Sequence, residues 1–357
     1  MALALAAACA APAPAASPVL SPLEPAASPS PTPFVIPSAT STATATTVPP
    51  PPLPPAVPVA PTAAAPTATS AAAVAPDPQP AARQSEPAPP DNPLRVRVEP
   101  PEVLQGGAFS LGVDSDEPLR SVTARVDGRA LAFRVEGARA WALAGFRSDV
   151  TPGRRSIPVE AETASGRSLR ATAAVSVGPG RFPVEQITIE PGDDGEDLLA
   201  AEVLREEWTR LLGITSRVTP LPRWEGPFLL PATGPVTSIY GTRRAYNGGP
   251  PGSPHEGMDL GVAPGTPVVA ANGGTVVVAQ AWKVRGNAVI IDHGLGLFSG
   301  YYHLSQIGVQ VGQAVSKGQP LGKSGDTGLV TGPHLHWEVV LQGMHTQPLQ
   351  WTQRSFP

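Results

Sequence analysis

Proline sets the first limit on what this chain can fold into. Of 47 prolines in 357 residues, 25 lie in the first 93 and 22 in the remaining 264. Each proline removes a backbone donor and locks φ, so so dense a run supports neither helix nor paired strand. Large apolar side chains are sparse in the same stretch, and only Glu24, Asp77, Arg83, Glu86 and Asp91 carry charge before Asn92. Residues 10–92 therefore read as a disordered Pro/Ala/Ser/Thr-rich tether. Segments such as VPPPPLPPAVPVAP are expected to be extended and semi-rigid, near polyproline II. A plain spacer is preferred over a ligand for a proline-binding domain. What remains, about 265 residues, suffices for two modest cores. The net charge is −4, of which the four acids and one arginine of the tail supply −3. The remaining −1 leaves no basic surplus that would point to nucleic acid or an anionic membrane surface.

The single cysteine, Cys9, excludes an intrachain disulfide framework and a cysteine-rich zinc finger. It ends the apolar run MALALAAAC, directly after Ala6-Ala7-Ala8, and the proline-rich tract follows at once. Small residues before a lone cysteine resemble the end of a bacterial lipoprotein signal, where the cysteine is acylated. The run lacks a basic n-region and has Ala6 where leucine is usual. Residues 1–9 are read as a signal remnant, with membrane anchoring through a lipid on Cys9. The expected place is extracytoplasmic, in the cell envelope, as a lipoprotein or secreted protein. No run of 18 apolar residues occurs beyond the N-terminus, so no spanning helix is expected.

Residues 93–178 change to short alternating runs. In LRVRVEP, Leu94, Val96 and Val98 share one face and Arg95, Arg97 and Glu99 the other. About seven such runs, separated by turn signals such as Asp127-Gly128 and Ser165-Gly166, predict an immunoglobulin-like β-sandwich. Residues 179–224 read as a strand–helix linker. FPVEQITIE is the strand. Acids at 193–197 open a helix whose apolar face holds Leu198, Ala201, Leu204, Trp208, Leu211 and Leu212, with Gly213 as its stop.

The chemistry sits in residues 225–357, where all six histidines lie between His255 and His345. Two motifs stand out, His255-Glu256-Gly257-Met258-Asp259 and His334-Leu335-His336. On a strand, residues i and i+2 share a face, so His334 and His336 point into one groove while Leu335, Trp337 and Val339 face the core. Structural histidine pairs occur at that spacing too. His255 and Asp259 with Gly257 between them can converge on one point. With His336 they make two nitrogens and one carboxylate oxygen, the donor set of a catalytic zinc site with a fourth position open. Zinc lowers the pKa of a bound water to about 7 and polarises a carbonyl. His334 and His303 are left over as base and transition-state stabiliser.

The segments TSIYGTRR, HEGMD, GTPVVAANGGTVVVA, GNAVIIDHG, YYHLS, VGQAVSKGQPLGKSGDTG and TGPHLHWEV resemble, in order, the lysostaphin/LytM-type zinc metallopeptidases over roughly residues 225–352. The resemblance implies a mostly antiparallel β domain with a groove and a single Zn2+. It also implies peptidoglycan as partner and the peptide bonds of its cross-links or stem peptides as substrate. It assigns His255, Asp259 and His336 as metal ligands, His334 as general base, and His303 as the residue that assists at the oxyanion. Glu256 and Asp326 are departures that remove no ligand, and the Gly/Pro-rich loop 245–254 is where substrate preference would be shaped. His293 is read as structural and His345 as a solvated loop residue. A catalytically silent wall-binding or hydrolase-activating module is the alternative. A non-haem iron oxygenase also uses two histidines and a carboxylate, but spaces one pair two apart rather than four. No oligomerisation is evident. The whole is expected to be mostly β, with only the short linker helix as an exception.

Overall fold

A computed structural model describes residues 93–187 and 200–357. Cys9, the proline-rich tether and the acidic start of the linker helix, with Leu198, lie outside the described residues. The fold is mostly β, as expected.

Residues 94–178 form two sheets over one core. The first runs β1 (Leu94–Glu99), β3 (Ala108–Ser115), β7 (Arg139–Gly145), β6 (Arg134–Glu136). The second runs β2 (Glu102–Leu104), β9 (Ser168–Gly178), β8 (Gly153–Thr163), β4 (Leu119–Val126), β5 (Arg129–Ala130). The count exceeds the seven expected runs because strands of two or three residues, such as β5 and β6, are too short for alternation to show. Where the runs are longer, alternation is obeyed. In β4 the pattern buries Leu119, Val122, Ala124 and Val126 and exposes Arg120, Thr123 and Arg125. Phe109, Leu111, Phe146, Ile157 and Val175 fill the space between the sheets.

The linker follows as β10 (Val184–Ile187) and helix α1 (Ala201–Thr215). Gly213 does not stop α1. The helix continues to Thr215, whose hydroxyl donates to Leu211 O at 2.9 Å and whose carbonyl accepts from Gly343 N at 2.9 Å. A tertiary partner satisfies the last carbonyl, so the helix needs no glycine cap there. The buried face also differs from the expected one. Leu204 is 38% exposed, whereas Glu207 is buried beside Leu211 and Thr215.

The C-terminal part holds β11 (Val236–Ser238), β12 (Arg243–Tyr246), β13 (Met258–Leu260), β14 (Pro267–Val269), β15 (Gly274–Trp282), β16 (Gly286–Gly294), β17 (Leu297–Ile307), β18 (Ala314–Val315), β19 (Pro320–Ser324), β20 (Leu335–Leu341) and β21 (Met344–Thr346). A short helix, α2 (Pro348–Gln353), follows them. Their main path is β11-β13-β20-β17-β16-β15-β18, with each of these neighbours antiparallel. β10 instead pairs parallel to β12 and so joins the linker to this part. The inner face packs Val276, Ile291, Tyr301, Leu335, Trp337 and Val339. Sandwich and C-terminal sheet touch closely. Gln347 N donates to Gly106 O at 2.8 Å, Ala108 N donates to Gln350 Oε1 at 2.9 Å, and Trp141 lies edge-on to Trp224 at 6.1 Å. Gly106 (φ +81) is required at this joint, because a Cβ there would sit 2.2 Å from the Tyr240 ring. No helix among the described residues is long and apolar enough to cross a membrane.

Candidate metal centre

Three strands bring the histidines and the aspartate together. β13 pairs with β20 so that Asp259 stands opposite His336, and β17 pairs with the other edge of β20 so that Tyr302 stands opposite it. His255 enters from the segment before β13, held by His255 N donating to Thr242 O at 2.6 Å. Gly257 permits the approach. A Cβ there would lie 2.5 Å from Trp337 O and 2.6 Å from His336 Nε2.

The result is a triangle of donor atoms. His255 Nε2 is 2.9 Å from His336 Nδ1, His336 Nδ1 is 2.8 Å from Asp259 Oδ1, and Asp259 Oδ1 is 3.1 Å from His255 Nε2. The far nitrogens of both rings are already engaged. His255 Nδ1 donates to Ile239 O at 3.1 Å, and His336 Nε2 donates to Glu338 Oε1 at 3.2 Å. A carbonyl and a carboxylate can only accept, so in the neutral form of each ring the opposite nitrogen turns its lone pair toward the triangle. Asp259 offers Oδ1, while its Oδ2 accepts from Arg244 Nη2. These three side chains could hold a metal ion. Two imidazoles and a carboxylate with tautomers set from outside fit zinc chemistry.

The electrostatics agree. Burial would lift Asp259, but the His255 and His336 rings beside it outweigh it and hold the carboxyl far below the usual range. Burial would lower His336, but Asp259 and Glu338 outweigh it and raise it to about 9. Two carboxylates around one imidazole require a positive charge there, which a proton or a metal cation can supply. For His255, burial wins and lowers the pKa.

His334 and His303 stand beside this triangle. His334 Nε2 is 3.7 Å from Asp259 Oδ1, and its Nδ1 donates to Gly332 O at 2.8 Å. His303 Nδ1 donates to Thr327 O at 2.8 Å, and its ring lies 4.8 Å from that of His334 and 6.0 Å from that of His336. Each ring therefore presents an unprotonated Nε2. Burial lowers His334, and burial with the nearby His336 and His334 pushes His303 to about 3. His303 also holds φ +60, a conformation uncommon for a residue with a Cβ and often found at functional sites. All five residues singled out in the sequence thus meet in one place. A groove of about 760 Å³ is lined by His255, His303 and His336, and walled also by Arg147 of the sandwich and Arg205 and Trp208 of α1.

Two expectations about the remaining histidines meet different outcomes. His293 is fully buried, with Nδ1 donating to Gly273 O at 2.6 Å and Nε2 2.7 Å from Ser299 Oγ, which suits a structural histidine. His345 is not a solvated loop residue. It is buried on β21, its Nε2 donates to Glu338 Oε2 at 3.0 Å, and its ring stacks on Trp208 at 5.4 Å. The loop reading failed because Gly343 makes a tight turn that folds β21 straight back onto β20. Glu338 was overlooked in the sequence, although alternation places it on the same face as His334 and His336.

Residues 253–348 match Peptidase family M23. The chain carries an M23 domain. Over 108 residues it is 43% identical to the peptidoglycan DD-endopeptidase ShyA of Vibrio cholerae, a match covering 30% of this chain and 25% of that protein. It is 39% identical over 104 residues to the lipoprotein NlpD/LppB homolog of Pseudomonas aeruginosa, covering 29% of this chain and 35% of that one. The chain thus spans a quarter to about a third of these relatives. A candidate peptidase M23 from Pseudomonas aeruginosa, known from a crystal structure, superposes with a TM-score of 0.52 at 27% identity. That superposition covers 71% of this chain and 96% of the other, so the likeness extends well beyond the M23 domain itself.

Proposed function

We propose that the protein is a zinc-dependent endopeptidase that hydrolyses peptide bonds in the cross-links or stem peptides of bacterial peptidoglycan. The observation that carries this reading is the convergence of His255 Nε2, Asp259 Oδ1 and His336 Nδ1, each freed toward one point by its outer partner, beside two neutral histidines. In this reading the three donors hold one Zn2+, which would acidify a water and polarise the scissile carbonyl. His334, whose Nε2 is unprotonated at neutral pH, takes a proton from the attacking water and returns it to the leaving amine. His303 faces the same space from β17, and would help to hold the developing oxyanion once its Nε2 takes a proton, which the growing negative charge there favours. The M23 match and the ShyA relative, named for its action on peptidoglycan, support the substrate class.

The same reading places the protein outside the cytoplasm, in the cell envelope. A lipid on Cys9 would anchor it and residues 10–92 would give it reach. A relative named as a lipoprotein supports this placement. The proposed division is a sandwich at 93–178, a linker at 179–224 and a metallopeptidase domain at 225–357. The test is release of soluble peptide fragments from purified sacculi, followed by mass spectrometry. Release that a chelator abolishes and Zn2+ restores is expected. A zinc-loaded wild type that releases nothing would establish the silent, hydrolase-activating reading instead.

A further inference from the structure

Helix α1 lies outside the residues that match family M23, yet it grips the carboxylate that orients His336 from two sides. On one side the grip is ionic. The buried Glu207 accepts from Val284 N at 2.8 Å, Arg285 N at 3.0 Å and Arg285 Nη1 at 3.2 Å. Arg285 Nη2 then donates to Glu338 Oε1 at 3.2 Å, the oxygen that accepts from His336 Nε2 at 3.2 Å. On the other side the grip is aromatic. Trp208 stacks on His345, whose Nε2 donates to Glu338 Oε2 at 3.0 Å. Tyr302 OH donates to that same oxygen at 3.1 Å.

A buried cluster with this many charges is costly to assemble, because each ion leaves water and is repaid only by good geometry. Glu207 and Glu338 bracket Arg285, and Glu338 and Glu256 bracket His345, so every charge has an opposite neighbour. Removing one member leaves the next without its partner and free to move. Glu338 has few alternatives: both its oxygens are committed, and it is 1% exposed. Its position sets where the His336 ring points.

From this chain of contacts we infer that Glu207 and Trp208 are positioning residues for the metal centre, so that α1 is a working part of the site rather than a linker. The inference rests on the proposal that His255, Asp259 and His336 hold zinc. Outer partners of metal-ligating histidines set ligand orientation and basicity, and their loss weakens metal binding about 10- to 100-fold. Glu207 acts two residues further out, through Arg285 and Glu338, so its effect belongs at the lower end.

The test is Zn2+ affinity of the metal-stripped full chain, measured by competition with a chromophoric chelator well below the Tm of every protein compared. Glu207→Gln is expected to bind Zn2+ about tenfold more weakly than wild type. Glu207→Asp, which keeps the charge on a shorter stem, recovers part of the loss. Glu206→Gln, its exposed neighbour, matches wild type. A merely structural role for Glu207 would lower Tm and leave affinity unchanged. A folded Glu207→Gln protein with wild-type affinity overturns the inference and leaves the zinc reading intact. Should Glu207→Gln fail to fold, Trp208→Leu carries the test. It keeps the ion pairs, removes only the stacked ring, and is expected to weaken Zn2+ binding about threefold. Unchanged affinity in that variant overturns the inference equally. A wild type that binds no Zn2+ overturns both readings at once.

Discussion

The two β regions solve the problem of polar groups in opposite ways. The sandwich buries Ser110, Ser115 and Thr163 but no ionisable side chain among its described residues. Its charges pair at the rim, as in Arg97–Asp114 at 3.1 Å, Arg120–Glu162 at 2.7 Å and Arg167–Asp116 at 2.7 Å. The C-terminal sheet buries His255, Asp259, His293, His303, His336, Glu338 and His345. An apolar core can be specified by alternation and volume alone, whereas buried charges demand partners at defined distances. The difference separates a region held by apolar packing from one whose buried charges call for a reason other than stability. The sandwich behaves as a body to be held together, and the sheet as a frame that holds charges in place.

That contrast can be broken most forcefully at the donors. His336→Ala is expected to cut peptide release from sacculi at least about 10³-fold, because the metal contribution amounts to several kcal/mol. The same variant should lose stoichiometric zinc, read by metal analysis. Next is His334→Ala, expected to cost about 10² to 10⁴ in rate while zinc content stays at wild-type level. Equal zinc loss would move His334 from base to ligand.

In the sandwich the large effects should fall on stability instead. Phe109 is fully buried, 5.6 Å from Phe146, and Phe109→Ala is expected to cost about 3–5 kcal/mol in denaturant unfolding. Zinc affinity of the folded fraction should be unchanged. A joint loss would show that the two regions are energetically one.

His293 sharpens the comparison through pH. Burial pushes its pKa down to about 4, below the ordinary value of 6.5. The unfolded chain therefore takes up a proton that the folded chain refuses. Stability from this group is complete above about pH 6.5 and is lost as pH falls through 4, by of order 3 kcal/mol. The pH dependence of thermal unfolding between pH 7 and 4 should be less steep in His293→Gln than in wild type by this amount, the rest being kept by the other lowered histidines, His255, His303 and His334. The smallest effect belongs to Arg120→Ala. Its exposed pair with Glu162 should change stability by at most about 1 kcal/mol, less at high salt.

Much of the fold was legible because strand alternation is a local property. Leu94, Val96 and Val98 announce one face of β1, and His334 and His336 one face of β20, whatever the rest of the chain does. The five candidate residues were legible for a similar reason: short motifs carry their own geometry, and their order along the chain resembles a known pattern. Helix α1 shows the limit. Its apolar spacing predicted the helix but placed Leu204 inside and passed over Glu207, because no local rule says that a glutamate will be buried against Arg285. His345 shows it again, since a histidine after Gly-Met carries no mark of the carboxylate that awaits it.

What the sequence alone determined, then, is the proline-rich composition of the first ninety-odd residues, the alternation of the β regions, and the short motifs that carry His255, Asp259 and His336. Each follows from composition, period or spacing within a few residues. Only the tertiary structure decided that Glu207, Arg285, Glu338 and His345 form one buried network leading to His336. That network joins residues up to 138 positions apart (Glu207 to His345). Charge pairing in a low-dielectric interior depends on distance in space, and only the packing of α1 against β16, β20 and β21 sets those distances.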